Sequence, residues 1–256
     1  MHAVHQLYFH RKSLATKAFN ARGKGVNRCE FCRVALQNCV CAFAPQTSSN
    51  HAVLLLMHDI EVLKPSNTGK LIADVIPNTY AHLWQRNEYP PSLVKIIEQS
   101  DYQPVLVFPS DYIIDVQPLI DGSSFDLKNK KILFIFIDGS WREAKKIYRK
   151  SPYLHDIPVL SIDPQVFLAA DYQSKYHIRK ASKGNQLATA EVAALALALA
   201  GEDDNAQLLS AWFEAYSYQY QRSVCQPNKG DPLAWQRYQQ LVTSLGIDYR
   251  SDIKSE

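Results

Sequence analysis

Three stretches of the chain carry side chains whose types and spacing suit chemistry better than packing. The first is CEFCRVALQNCVC, with cysteines at Cys29, Cys32, Cys39 and Cys41 in the pattern C-x2-C-x6-C-x-C. Four thiolates can surround Zn2+ as a tetrahedron at ~2.3 Å, and the first pair resembles a zinc-knuckle hairpin. Two other readings stand beside zinc: an iron–sulfur cluster, which a set of four cysteines also serves, and no metal. A disulfide framework suits a reducing compartment poorly. A redox C-x-x-C opens a helix after a strand, which this one does not. Four protein ligands leave no coordination position open, so such a zinc is expected to be structural and to fix the flanking basic segment against the body. Cys225 stands alone and reads as a small apolar residue.

The second stretch is DGSW, Asp138 to Trp141, between the apolar run KILFIFI and the helical pattern REAKKIYRKSPYL. Gly139 suits a tight turn, and Ser140 with Glu143 fits the capping box S-x-x-E. Asp138 then falls at the carboxyl end of a strand, the edge where open α/β sheets bind ligands. Trp141 falls in the first helical turn, beside N–H groups that favour an anion such as a carboxylate. The plainer reading of Asp138 is an acceptor for turn N–H groups. The third stretch is HDIEVLKPSNTGKL, residues 58–71. Ser66 or Asn67 can cap the next helix, and Gly69 allows another group to come close. Capping accounts for one of these residues, not for His58, Glu61, Asn67 and Thr68 together.

The elements that must hold these groups are legible as alternating strands and helices. Residues 51–58, 104–109, 131–137 and 158–162 are near-continuous apolar runs, the mark of strands buried on both faces. Residues 81–84 form a weaker candidate. Helical patterns cover 67–76, 91–100 and 141–150, which together predict a mostly parallel α/β sheet flanked by helices. The C-terminal third turns helical: 186–201, closed by Gly201 as its cap; 205–224, aromatic on more than one face; and a third helix from Asp231 with Pro232 in its first turn.

The 256 residues suit one large domain with small appendages. Residues 1–45 read as a basic arm with the cysteine knuckle, and 46–256 as the main domain. Residues 1–41 hold seven Lys or Arg against one acid, while the remainder holds 21 against 24. A basic segment on a near-neutral body suits either a polyanion or a solubilising tail. No apolar run spans a bilayer and no secretory leader is legible, so the protein is expected in the cytoplasm and off the membrane. No G-x-G-x-x-G follows the first strand, and no P-loop, H-E-x-x-H or G-x-S-x-G occurs, which leaves dinucleotide, P-loop, zincin and hydrolase-elbow chemistry unsupported.

Taken together, the motifs resemble the DTW-domain family. Its D-x-[TS]-W signature is matched by Asp138–Trp141, and its clustered N-terminal cysteines by Cys29–Cys41. The 58–71 stretch is similar to the family's H-P-x-E…S-N-T-G segment, with Asp59 where proline is usual. Residues 188–197 are similar to its [ST]-x-E-A segment, with Val192 in place of alanine. Pro109–Ser110 is similar to its short loop after a strand. The resemblance covers about residues 29 to 220.

The resemblance implies a SPOUT-like, knotted fold and a tRNA-uridine aminocarboxypropyltransferase. Such an enzyme moves the 3-amino-3-carboxypropyl group of S-adenosylmethionine to N3 of a uridine, at position 47 of the variable loop in bacteria. It implies S-adenosylmethionine contacts from Gly139, Ser140, Trp141, Pro109, Ser110, Thr189 and Glu191, and substrate contacts from Glu61, Asn67 and Thr68, while Arg179 and Lys180, in the basic stretch YHIRKASKGNQ, read as phosphate-seeking substrate contacts. Arg179 and Lys180 also read as a solvated basic loop. Asp138 is the candidate catalytic residue, either as base for the N3 proton or as the group that orients the uracil. The basic arm is expected to grip tRNA phosphates, and Trp and Tyr of 211–220 either stack on a base or belong to the core. A monomer is expected. The rivals are a SPOUT-type RNA methyltransferase and a non-enzymatic zinc-containing RNA-binding module.

Overall fold

The computed structural model describes residues 1–17, 25–86, 90–98, 101–120, 130–163, 187–224 and 227–250. The apolar runs become strands β2 (Ala52–Met57), β4 (Gln103–Val107), β6 (Ile132–Asp138) and β7 (Val159–Leu160), and the weaker candidate becomes β3 (Thr79–Leu83). They join β5 (Leu119–Ile120) in one six-stranded sheet of order β3-β2-β6-β4-β7-β5. Every pairing in it is parallel. The mostly parallel sheet expected from the sequence is therefore present. Two short strands not expected, β1 (Pro45–Gln46) and β8 (Asp248–Tyr249), pair antiparallel apart from it.

Parallel neighbours need crossovers, and the crossovers bury both faces. The period of two is visible in the core. Val53, Leu55, Met57, Phe134 and Phe136 face one cluster, while Leu54, Leu56, Leu133, Ile135 and Ile137 face the other. The first cluster is closed by α1 (Ala3–Ser13), α2 (Gly69–Val75), α5 (Thr189–Leu199), α6 (Asp203–Gln221) and α7 (Ala234–Ser244). The second is closed by α3 (Pro91–Ile97) and α4 (Trp141–Arg149).

The central pair, β2 and β6, decides where a ligand can enter. The chain leaving β2 runs through α2 to β3 on one side, and the chain leaving β6 runs through α4 to β7 on the other. Neighbouring strands whose exits diverge leave a crevice at their carboxyl ends. Met57 pairs with Asp138 there, and the His58 N–H donates to the Asp138 carbonyl at 2.9 Å.

Several local readings hold and several are corrected. Gly201 sits at φ 82°, with its N–H on Ala198 and the next N–H on Leu197, a Schellman cap that ends α5. The last helix starts at Ala234 rather than Asp231, because Asp231 turns back to accept the Leu233 N–H at 2.8 Å. Trp212, Tyr216 and Tyr220 of α6 are buried, so they are core and do not stack on a base.

Helix α1 was not expected, since its sequence lacks an amphipathic stripe. It docks instead through Val4 and a buried polar patch. The His5 ring stacks on His2 at 3.6 Å, and His2 Nε2 lies 3.3 Å from Asp74 Oδ1 of α2, whose other oxygen accepts from Trp212 Nε1 at 3.0 Å. Several of the arm's charges are already paired or buried. Arg11 pairs with Asp59, Lys12 with Glu30 at 2.6 Å, and Arg33 is buried. The arm thus offers a polyanion fewer free cations than its charge count suggests.

Burial pushes His5 from 6.5 down to about 2, and lowers His2 as well. Folded-state values below the unfolded ones mean that the unfolded chain binds the extra protons. This stability is full above about pH 6.5 and drains as pH falls toward the folded value, by at most ~1.4 kcal/mol per pH unit per imidazole. The melting temperature is expected to drop between pH 7.5 and 5.5, and to drop less in His5→Gln; equal drops would show that His5 is not the source.

Candidate functional site

Asp138 ends β6 with an even-numbered side chain, so it turns to the same face as Phe134 and Phe136, toward α2 and α5. It is 3% exposed. Asn67 Nδ2 donates to its Oδ2 at 2.6 Å, and Thr189 Oγ1 donates to its Oδ1 at 2.9 Å. Two further expected site residues, 71 and 51 positions from Asp138, therefore meet on its carboxylate. Glu61, also buried, accepts from Asn67 Nδ2 at 3.4 Å and pairs with Lys64 Nζ at 2.6 Å. Asn67 thus joins two acids rather than capping α2. Thr68 stands at the cap position without a side-chain cap bond, which corrects the capping expectation for Ser66 and Asn67.

Gly69 allows the close approach expected of it, and the group that approaches is Asp138. A Cβ on Gly69 would lie 2.7 Å from Asp138 Oδ2. Gly139 is not in the left-handed region, so the turn does not require it. What it provides is space: a Cβ there would lie 3.3 Å from His58 Cβ and 3.2 Å from Glu143 Cβ. His58 Nδ1 faces Glu143 Oε1 at 3.4 Å across that gap. Ser140 caps α4 as expected: its Oγ accepts from the Glu143 N–H, and Glu143 Oε2 accepts from the Ser140 N–H at 2.7 Å. Burial raises Glu143, but the Ser140 hydrogen bonds and the charges of His58 and Lys64 outweigh it and hold the carboxyl below its usual range. The helix N-terminus is thus already served by its own carboxylate.

Trp141 lies on the opposite face from Asp138. It packs on Phe108 at 6.2 Å and edge-on to Tyr112 at 5.7 Å, against the second cluster. Pro109 and Ser110 follow Phe108 at the end of β4, and the Ser110 N–H donates to Ser161 Oγ at 3.0 Å. Glu191 accepts the Ala188 N–H at 2.8 Å at the start of its own helix. Arg179, Lys180 and Cys225 lie outside the described residues. The expected residues thus form two groups on opposite faces of the sheet at its carboxyl edge, Asp138 with Asn67, Glu61 and Thr189 on one, and Trp141 with the 108–112 segment on the other.

Lys70 was missed. It is 1% exposed, its Nζ donates to the carbonyls of Asn67 at 2.7 Å and Pro65 at 3.0 Å, and it sits 4.5 Å over the Tyr216 ring. All seven residues of α2 are buried, Lys70 and Asp74 included. A polar residue in a wholly buried helix carries no sequence signal that sets it apart from a surface one.

The four cysteine sulfurs lie within 4.8 Å of one another, with Cys29–Cys41 at 3.5 Å and Cys32–Cys39 at 3.7 Å. A tetrahedron with ~2.3 Å metal–sulfur bonds has edges of about 3.8 Å, so the set fits one divalent cation. Hydrogen bonding among the thiols holds Cys29 below the usual thiol range and pushes Cys41 above it. A divalent cation binds thiolates, so it would take the place of the thiol protons. The knuckle is clamped to the 58–71 loop. Arg33, at φ 62°, donates to the Val62 carbonyl at 2.6 Å, and the Tyr216 hydroxyl shares its one proton between the carbonyls of Pro65 at 2.9 Å and Cys32 at 3.2 Å.

Two outcomes follow from this packing. Gly→Ala at an unhindered helix position gains ~1 kcal/mol; Gly69→Ala is expected to lose about 1–3 kcal/mol by overpacking against Asp138, read from denaturant midpoints, and an unchanged midpoint would refute the close packing. Native mass spectrometry is expected to find one divalent cation per chain, lost in Cys41→Ser together with several degrees of melting temperature.

The DTW domain family matches residues 26–221. Among curated proteins, tRNA-uridine aminocarboxypropyltransferase 2 of Drosophila melanogaster is 27% identical over 180 residues, 68% of this chain and 66% of the relative. The chain therefore spans just under two thirds of that relative's length. No solved structure matches. The family match runs from the cysteine knuckle through the Asp138 carboxylate to the end of the helix that clamps the two together, and the chain belongs to the DTW-domain family.

Proposed function

We propose that this protein is a tRNA-uridine aminocarboxypropyltransferase acting in the cytoplasm as a monomer. It moves the 3-amino-3-carboxypropyl group of S-adenosylmethionine to N3 of a tRNA uridine, at position 47 of the variable loop. The observation that carries this reading is the buried Asp138 carboxylate at the switch point, held by Asn67 and Thr189 within residues that match the family. The relative's name supports the reaction class. The parallel sheet supports the SPOUT-like arrangement.

The sulfonium has three attackable carbons, and choosing the γ-carbon of the amino-acid arm over the methyl group is a matter of pose. Trp141, fixed by Phe108 and Tyr112, is the wall against which a cationic sulfonium rests. Pro109, Ser110, Gly139, Ser140, Thr189 and Glu191 line the remainder of the donor site. Asn67 Oδ1 is buried without a partner among the described residues, and a substrate N–H satisfies it. Both Asp138 oxygens already accept a fixed donor, and an ordinary carboxylate is a weak base toward an imide. Its role is to fix Asn67 and Thr189 for the substrate rather than to remove the uridine N3 proton. Glu61 and Thr68 shape the uracil side, and Arg179, Lys180 and the basic arm meet phosphates. Cys29, Cys32, Cys39 and Cys41 would hold Zn2+, which supplies a structural cross-link.

The test is incubation of the protein with undermodified tRNA and S-adenosylmethionine. Methylthioadenosine release is expected; adenosylhomocysteine would mean methylation instead. A non-enzymatic module would show no thermal stabilisation by S-adenosylmethionine, whereas a ligand at 100 times its Kd adds about 2.7 kcal/mol. Asp138→Ala is expected to lose turnover by roughly 100-fold or more with donor binding largely kept, and wild-type turnover would remove Asp138 from the site.

A further inference from the structure

We propose that His58, backed by Glu143, is the base that takes the uridine N3 proton. This rests on the transferase reading above. His58 follows β2 directly at the switch point, with its N–H on the Asp138 carbonyl at 2.9 Å. Its Nδ1 is buried, makes no hydrogen bond among the described residues and lies 3.4 Å from Glu143 Oε1, the partner it gains on protonation, while the side chain as a whole keeps 18% exposure. Nε2 is therefore the nitrogen open to a ligand. Glu143 is held in turn by the Ser140 N–H and N-terminal turn of α4. A base whose rear nitrogen meets an anchored carboxylate is the arrangement in which an imidazole gains a proton with least reorganisation.

The spacing of the motif serves this pair. Gly139 lies between Asp138 and the cap, where a Cβ would press on His58 Cβ at 3.3 Å and on Glu143 Cβ at 3.2 Å, so glycine leaves the most room for His58 to approach Glu143. Imidazole also suits the task better than a carboxylate, since its proton affinity is centred near neutral pH. The step balances. The N3–H bond breaks and its proton passes to His58 Nε2. The N3 electron pair forms the bond to the γ-carbon, the γ-carbon–sulfur bond breaks, and its electrons stay on sulfur as neutral methylthioadenosine. The positive charge that began on the sulfonium ends on the imidazole, beside Glu143. The charged groups around His58 are Glu143 of α4, Asp59 with its partner Arg11 of α1, and Lys64 acting through Glu143.

The experiment is single-turnover release of methylthioadenosine from S-adenosylmethionine and undermodified tRNA, between pH 6 and 9, for wild type, His58→Gln and Glu143→Gln. Glutamine at 143 can still close the capping box. His58→Gln is expected to lose about 100-fold at neutral pH, with S-adenosylmethionine affinity kept and the loss shrinking as pH rises and uridine ionises unaided. Glu143→Gln, a positioning change, is expected to lose about tenfold and to displace the pH profile. A wild-type rate and profile in His58→Gln overturns the proposal; if that variant fails to bind S-adenosylmethionine, an unmoved profile in Glu143→Gln overturns it instead. Adenosylhomocysteine from wild-type protein is a different failure, that of the transferase reading, and it removes this step as well.

Discussion

A carboxylate taken out of water must find donors, or the fold loses several kcal/mol. Asp138 is such a group, at the end of the central strand. Meeting its needs draws Asn67 from the loop after β2 and Thr189 from the first turn of α5 onto one spot. Those two segments also pack apolar side chains against the sheet, and apolar packing tolerates sliding. Two hydrogen bonds on one anion do not. The carboxyl edge is therefore the place where the register of β2, β6 and α5 is set together, and the 2.7 Å approach at Gly69 shows how little space is left over.

The strands and their parallel order were readable because each buried strand is a short apolar run and each crossover has helical spacing. The edge location of Asp138 was readable for the same reason: the run ends where the acid begins. What was not readable is which side chains share a face. Asp138 and Trp141 are neighbours in the motif, yet one belongs with Phe134 and Phe136 and the other with Phe108 and Tyr112. Asn67 looked like a cap because Asn before a helix commonly is one; an acid 71 residues away outcompeted the local N–H groups. Gly139 looked like a turn residue because glycine usually is, whereas its use is the absence of a methyl group between His58 and Glu143. Helix α1 was missed because its docking rests on histidines and an aspartate rather than an apolar stripe.

The cysteine knuckle gains a second meaning from its neighbours. Tyr216 bonds the knuckle at Cys32 and the 58–71 loop at Pro65 with one hydroxyl, and Arg33 reaches Val62 from the residue after Cys32. The loop that brings Asn67 to Asp138 is thus held from outside by the cysteine cluster and from inside by the carboxylate.

The alternation along β6 has a mechanical consequence. Because successive residues feed two separate hydrophobic clusters, the two groups of site residues are founded on different halves of the core. Repacking around Phe136 or Leu71 bears on the Asp138 group, and repacking around Ile137 or Ala144 bears on the group of Trp141 and Glu143. The carboxyl edge is where two cores on opposite faces of one sheet meet, so each core bears first on its own group of site residues.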